Sequence, residues 1–120
     1  MTRCIDGSSP ENVWFASRDT VLRFDGRAFE ELPLPSRDSR FSWFVSSLRT
    51  FGPSDSWLVY ASTEETFVLH YDGEAWRESL QLPGGYVYAQ SRLAGPSSDD
   101  LWAALDVGLF HHTDGGWREE

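Results

Sequence analysis

Short apolar runs punctuated by glycine, proline, aspartate and serine alternate along this chain, and no ten-residue window carries apolar positions at helical spacing between capping residues. The pattern predicts strands and a helix content near zero. It also repeats. Gly7-Ser8-Ser9-Pro10-Glu11-Asn12-Val13-Trp14 aligns with Gly52-Pro53-Ser54-Asp55-Ser56-Trp57, two residues shorter, and with Gly95-Pro96-Ser97-Ser98-Asp99-Asp100-Leu101-Trp102. The repeat glycines are 45 and 43 residues apart. Downstream in each copy an apolar run meets Asp-Gly and then an aromatic: Val21 to Asp25-Gly26 and Phe29, Val68 to Asp72-Gly73 and Trp76, Phe110 to Asp114-Gly115 and Trp117.

Each copy reads as a four-stranded antiparallel unit. Asp-Gly between β-prone runs signals a hairpin of type I′, because Asp and Gly tolerate the positive φ which that turn requires. It would join strands three and four. The Gly/Pro/Ser/acidic cluster before each Trp is a second turn, joining strands one and two. Leu32-Pro33-Leu34-Pro35 and Leu80-Gln81-Leu82-Pro83 read as crossings between units, since proline lacks a ladder donor. In the middle copy the strands fall at about 44–51, 57–61, 66–71 and 75–80. The outer copies look truncated, the first beginning inside strand one at about 3–6 and the third stopping in strand four at 117–120. Phe67, Leu69 and Tyr71 point one way and Val68 and His70 the other, while Trp57, Leu58 and Val59 are consecutive. Such a sheet is packed on both faces.

The motif Gly-x-Ser-Pro-x-x-Val-Trp at 7–14, followed by Leu-His-Tyr-Asp-Gly-x-x-Trp at 69–76, resembles the repeat of kelch-like bacterial β-propeller proteins. The resemblance covers nearly the whole chain. It implies an all-β fold class, a propeller segment of about three blades at 1–35, 36–83 and 84–120, and a secreted or cell-surface location. It carries no single activity, because a propeller is a scaffold for many functions. The motif is also similar to the Asp-box hairpin of sialidase-type propellers, but here Asp and Gly are adjacent, whereas the box separates them. Closed propellers have about 4 to 8 blades. Self-association or further blades would therefore complete the ring.

Composition narrows this reading. With 120 residues, 40% apolar and 15% aromatic, the chain supports a single domain over 1–120. The net charge of −9, no lysine and ten scattered arginines argue against a nucleic-acid partner. No apolar stretch reaches the roughly 18 residues of a membrane span, and the N-terminal residues lack the apolar core of a signal peptide. Cys4 is the single cysteine, which excludes an internal disulfide framework or a multi-thiolate zinc site.

Candidate chemistry is sparse. His70 and His112 share a repeat position with Arg23, two residues before the turn aspartates, and recurrence favours a structural role. His111 replaces Leu22 and Leu69, as an eroded core position. Neighbouring strand residues face opposite ways, so His111 and His112 do not converge on one metal ion. Glu11, Asp55, Asp99 and Asp100 lack the spacing of a calcium loop, and no Gly-x-Ser-x-Gly elbow occurs. Arg49 and Arg92 each lie three residues before a repeat glycine on the innermost strand, where they could meet an anion or a partner's carboxylates in an axial channel. Trp14, Trp57 and Trp102 form one aromatic series and Phe29, Trp76 and Trp117 another. Only Trp43 stands outside both, as a candidate exposed binding aromatic. The expectation is a non-enzymatic binding or scaffold module without cofactor, presenting loops or channel to a protein or glycan. The alternatives are a fragment of a glycan-active propeller hydrolase or lyase, and a purely structural ring former.

Overall fold

The computed structural model describes residues 3–35, 42–84 and 91–120. They form twelve strands and, among the described residues, no helix. β1 (Arg3–Ser9), β2 (Asn12–Ser17), β3 (Thr20–Phe24) and β4 (Phe29–Glu31) make the first sheet. β5 (Phe44–Gly52), β6 (Asp55–Ala61), β7 (Glu65–Tyr71) and β8 (Trp76–Pro83) make the middle one. β9 (Arg92–Ser97), β10 (Asp100–Leu105), β11 (Gly108–Thr113) and β12 (Gly116–Glu119) make the third. Every sheet is an antiparallel meander in chain order, and no strand crosses from one sheet to another. Each outer sheet has four strands: Arg3–Ser9 pairs along β2, and β12 spans four residues where β8 spans eight.

The sheets stack through their side chains, closest along β1, β5 and β9. Strand alternation splits the middle sheet between two cores. Leu58, Tyr60, Phe67, Leu69, Tyr71 and Trp76 join Trp14, Ala16 and Val21 of the first sheet. Trp57, Val59 and Val68 join Leu93, Leu101, Ala103 and Phe110 of the third. We call the side of a sheet that faces later sheets its forward face, and the opposite side its rear face. A bulge in β8 changes the phase, because Leu69 pairs with Glu78 but Val68 pairs with Leu80. Trp76 thus points rearward while Leu80 and Leu82 pack forward. That burial extends β8 through Leu80–Pro83, so the second Leu-Pro run belongs to a strand and only Leu32–Pro35 lies outside one.

The Asp-Gly hairpins differ from type I′ turns. No turn aspartate has positive φ; Gly26 and Gly73 do, at 98° and 101°. Phe24 pairs with Phe29 and Tyr71 with Trp76, which leaves four-residue loops. Asp25 Oδ1 accepts the amide hydrogens of Arg27 and Ala28, and Asp72 Oδ1 those of Glu74 and Ala75. A side chain that holds its own turn in this way removes the need for left-handed backbone at the aspartate. In the third sheet Thr113 pairs with Gly116, so the loop shrinks to Asp114-Gly115.

Candidate functional site

The shorter third loop moves the repeat by one residue. Trp14 lies opposite Arg23, Trp57 opposite His70 and Trp102 opposite His111. His111, rather than His112, is therefore the counterpart of His70. Each pair has a third member two residues before the indole: Asn12, Asp55 or Asp100. In the first sheet Trp14 Nε1 donates to Asn12 Oδ1 at 2.7 Å, and the Arg23 guanidinium lies 5.6 Å from the indole centroid. In the middle sheet Trp57 Nε1 donates to Asp55 Oδ1 at 3.0 Å. His70 stacks on Trp57 at 4.0 Å and places Nε2 2.8 Å from the same carboxylate oxygen. In the third sheet His111 stacks on Trp102 at 3.8 Å with its Nε2 2.8 Å from Asp100 Oδ1.

A carboxylate–imidazole pair can serve as the base half of an acid–base site. Here each imidazole lies flat on an indole, and His111 also lines a depression of about 330 Å³ with Thr113, Gly115, Gly116, Trp117 and Arg118. His112 does face the other way from His111, as strand alternation requires: its Nδ1 meets Ser98 O at 2.7 Å and its ring packs by Trp57 and Trp117. Among the described residues no three His, Cys, Asp or Glu side chains gather as a metal site.

The arginines and Trp43 occupy three different settings. Arg49 on β5 spans the stack: Nη1 donates to Asp6 Oδ2 on β1 at 3.2 Å and Nη2 to Gly95 O on β9 at 2.9 Å. Thr50 N donates to the same Asp6 oxygen at 2.8 Å. Its donors therefore tie three inner strands together. Arg92 is exposed and pairs with Ala104, whereas Arg49 pairs with Trp57; the residue paired with Trp102 is Ala94, so the two arginines are not equivalent in register and do not converge. Trp43 is not an exposed aromatic. It is buried against Tyr60 and Phe67, with ring centroids at 5.4 and 5.8 Å.

Two features escaped the sequence reading. Asn12 is a buried polar hub, its Nδ2 donating to Ser8 Oγ at 2.7 Å and Thr50 Oγ1 at 3.0 Å. Its place two residues before a repeat tryptophan was the available signal. The other is the rear face of the first sheet, where a depression of about 290 Å³ is lined in part by Cys4, Ile5, Phe15 and Leu22. Burial pushes the Cys4 thiol above its ordinary pKa, which makes it a poor nucleophile.

Two loop carboxylates are perturbed as well. The Arg77 side chain, then the amides of Ala75 and Glu74, hold the Asp72 carboxyl well below its ordinary value. The amides of Ala28 and Arg27 lower Asp25 in the same sense. No family model matches the chain, and neither a curated protein nor a solved structure matches it.

Proposed function

We propose that the three sheets are consecutive blades of a kelch-like β-propeller and that the chain is a non-enzymatic scaffold. One observation carries the reading: the same indole-into-aromatic contact joins both pairs of neighbouring sheets. Trp14 packs edge-on against Tyr71 and Trp76 at 5.6 and 5.9 Å. Trp57 packs against His112 and Trp117 at 4.9 and 6.2 Å. Identical contacts between successive sheets, with the first strand of each innermost, are what radial repetition about an axis requires.

The binding surface that fits this scaffold is its loops. Arg49 is committed to Asp6 and Gly95, and Arg92 does not join it in a common anion site. The β1–β2 and β3–β4 turns adjoin, since a Cβ on Gly26 would lie 3.0 Å from Glu11 Cγ, and those of the middle sheet do likewise through Gly73 and Ser54. Glu11, Asp25, Asp72, Glu74, Asp99 and Asp114 are exposed in these turns. With a net charge of −9, this rim suits a cationic protein surface better than an acidic glycan.

The test has two parts. An experimental structure should show β1, β5 and β9 side by side about one axis; ladder bonds between different sheets would overturn the blades. Interferometry should then show salt-sensitive binding of a polyarginine peptide and none of heparin. Turnover of chromogenic glycosides or polyuronides by repurified protein would overturn the non-enzymatic reading in favour of a propeller enzyme.

A further inference from the structure

The two ends of the stack are complementary in a way the internal interfaces define. The forward face of each sheet carries a ladder of four side chains. In the first sheet it is Trp14 paired with Arg23 and Ala16 with Val21; in the middle sheet, Trp57 with His70 and Val59 with Val68; in the third, Trp102 with His111 and Ala104 with Leu109. The apolar members of the first two ladders are buried by the next sheet, Trp14 at 0% exposure and Val68 at 0%. Among the described residues no sheet covers the third ladder. Ala104 is exposed and Leu109 is 43% exposed.

The rear faces match in the same way. Leu48, Leu58 and Leu69 run across the middle sheet beside the Tyr71–Trp76 pair, and Leu93, Ala103 and Phe110 run across the third beside the His112–Trp117 pair. The first sheet has Ile5, Phe15 and Leu22 in register beside the Phe24–Phe29 pair. Those two rings lie 5.0 Å apart, a separation close to the 5.3 Å of Tyr71 and Trp76 that receive Trp14. Yet Ile5 is 68% exposed and Phe29 62%. One molecule thus bears an exposed aromatic pair at one end and a half-buried indole at the other.

We propose that a second copy of this chain covers each end, head to tail, with Trp102 of one copy packing edge-on against the Phe24–Phe29 pair of the other and Ala104 and Leu109 covering Ile5, Phe15 and Leu22. The inference rests on the blade reading. Two copies close the ring: they supply six sheets, within the range of about 4 to 8 blades, whereas three copies exceed it. The contact is made twice and buries large apolar side chains that monomers rarely leave in one patch. It also accounts for the third ladder, whose imidazole, stacked on its indole and anchored by Asp100, repeats the stacking at His70 beside Trp57.

Sedimentation equilibrium of the full chain, from about 1 to 200 µM, tests the pairing. The expected mass is twice 13.7 kDa. Phe29→Glu and Trp102→Glu, each checked for native circular dichroism, should separately weaken association about tenfold or more, as loss of a central aromatic anchor does. Mixing the two variants should restore part of it, because one of the two contacts is then intact on both sides. A folded wild-type monomer at the highest concentration, a trimer, or sensitivity to only one substitution would overturn the proposal. The last result would mean that like faces pair with each other. A monomer whose experimental structure retains three stacked sheets would sink the second copy alone, and an altered stack would sink the blades as well.

Discussion

Trp14→Ala and Trp102→Ala alter the same repeat position and should differ several-fold in their effect on stability. Trp14 is fully buried, contacts Tyr71 and Trp76 edge-on, lies under Arg23, and satisfies Asn12 Oδ1 through its indole nitrogen. Truncating a buried aromatic to alanine costs about 3–5 kcal/mol. The upper part of that range applies here, since a buried acceptor left without its donor adds about 1–3 kcal/mol of its own. A loss of about 5 kcal/mol takes away most of the stability of an ordinary domain, about 5–15 kcal/mol. Trp102 is only half-buried and stacks mainly on His111, so its truncation in a single molecule should cost about 1 kcal/mol. Urea unfolding followed by circular dichroism, at a concentration too low for association, separates the two. With a slope of about 1–3 kcal/mol/M, the Trp14 variant should lose about 2–3 M in its midpoint and the Trp102 variant about 0.5 M. Equal shifts, or a Trp14→Ala shift below about 1 M, would refute the claim that the indole's worth comes from the sheet it enters.

Asn12→Ala removes three buried hydrogen bonds at one residue and should cost about 2–3 kcal/mol in the same assay; an unchanged midpoint would show that the hub is dispensable. Gly95→Ala would put a Cβ 2.1 Å from Asp100 O at a φ of 145°, and should cost at least about 3 kcal/mol. Gly52→Ala, at the glycine that the sequence repeat aligns with Gly95 but that pairs at the turn as Ser97 does, has nothing within 4 Å and should stay within about 0.5 kcal/mol, so similar melting of the two variants would contradict the described turn geometry. Asp25 and Asp72 have folded pKa values below the ordinary 3.8, so the stability they add is present above that value and is lost as pH falls below it. Replacing both by Asn keeps an oxygen for the loop amides and removes the titration. The variant's urea midpoint should therefore fall less steeply than wild type between about pH 4 and pH 2, and parallel profiles would show that neither carboxylate is linked to folding.

The meander order was legible because it depends on local chemistry: turn residues at fixed offsets and alternation along β7 suffice to place four strands per copy. What escaped the sequence depends on contacts between sheets or on the count of residues in a loop. Counting back from Asp114 placed His112 beside His70, but the third loop has two residues where the others have four, and pairing selects His111. Trp43 stands outside both aromatic series, and its lack of a repeat partner looked like freedom. It is in fact buried by the first–middle interface, which no period reveals. Arg49 and Arg92 share an offset from a glycine, yet Gly52 pairs with Asp55 as Ser97 pairs with Asp100, so the two glycines are themselves out of register. Leu80 and Leu82 turn forward because of another bulge that leaves no mark in composition. Spacing records which residues may be equivalent, and register decides which of them are.

The repeated element is best described by shape and hydrogen bonding, because residue identity varies around a constant indole. Asn12, Asp55 and Asp100 each set an oxygen beside the ladder, and Arg23, His70 and His111 each lay a planar, nitrogen-bearing side chain near the six-membered side of the fold's tryptophan. A planar cover limits the indole to one rotamer, so little further side-chain entropy is lost when another sheet closes over it. That advantage is realised by Trp14 and Trp57, which are buried. At Trp102 the same arrangement lies on an outer face, where ordering an indole contributes nothing by itself. The free-energy benefit of holding Trp102 in place arises only when something with an exposed aromatic pair arrives. Among the described residues, the rear of the first sheet presents such a pair in Phe24 and Phe29.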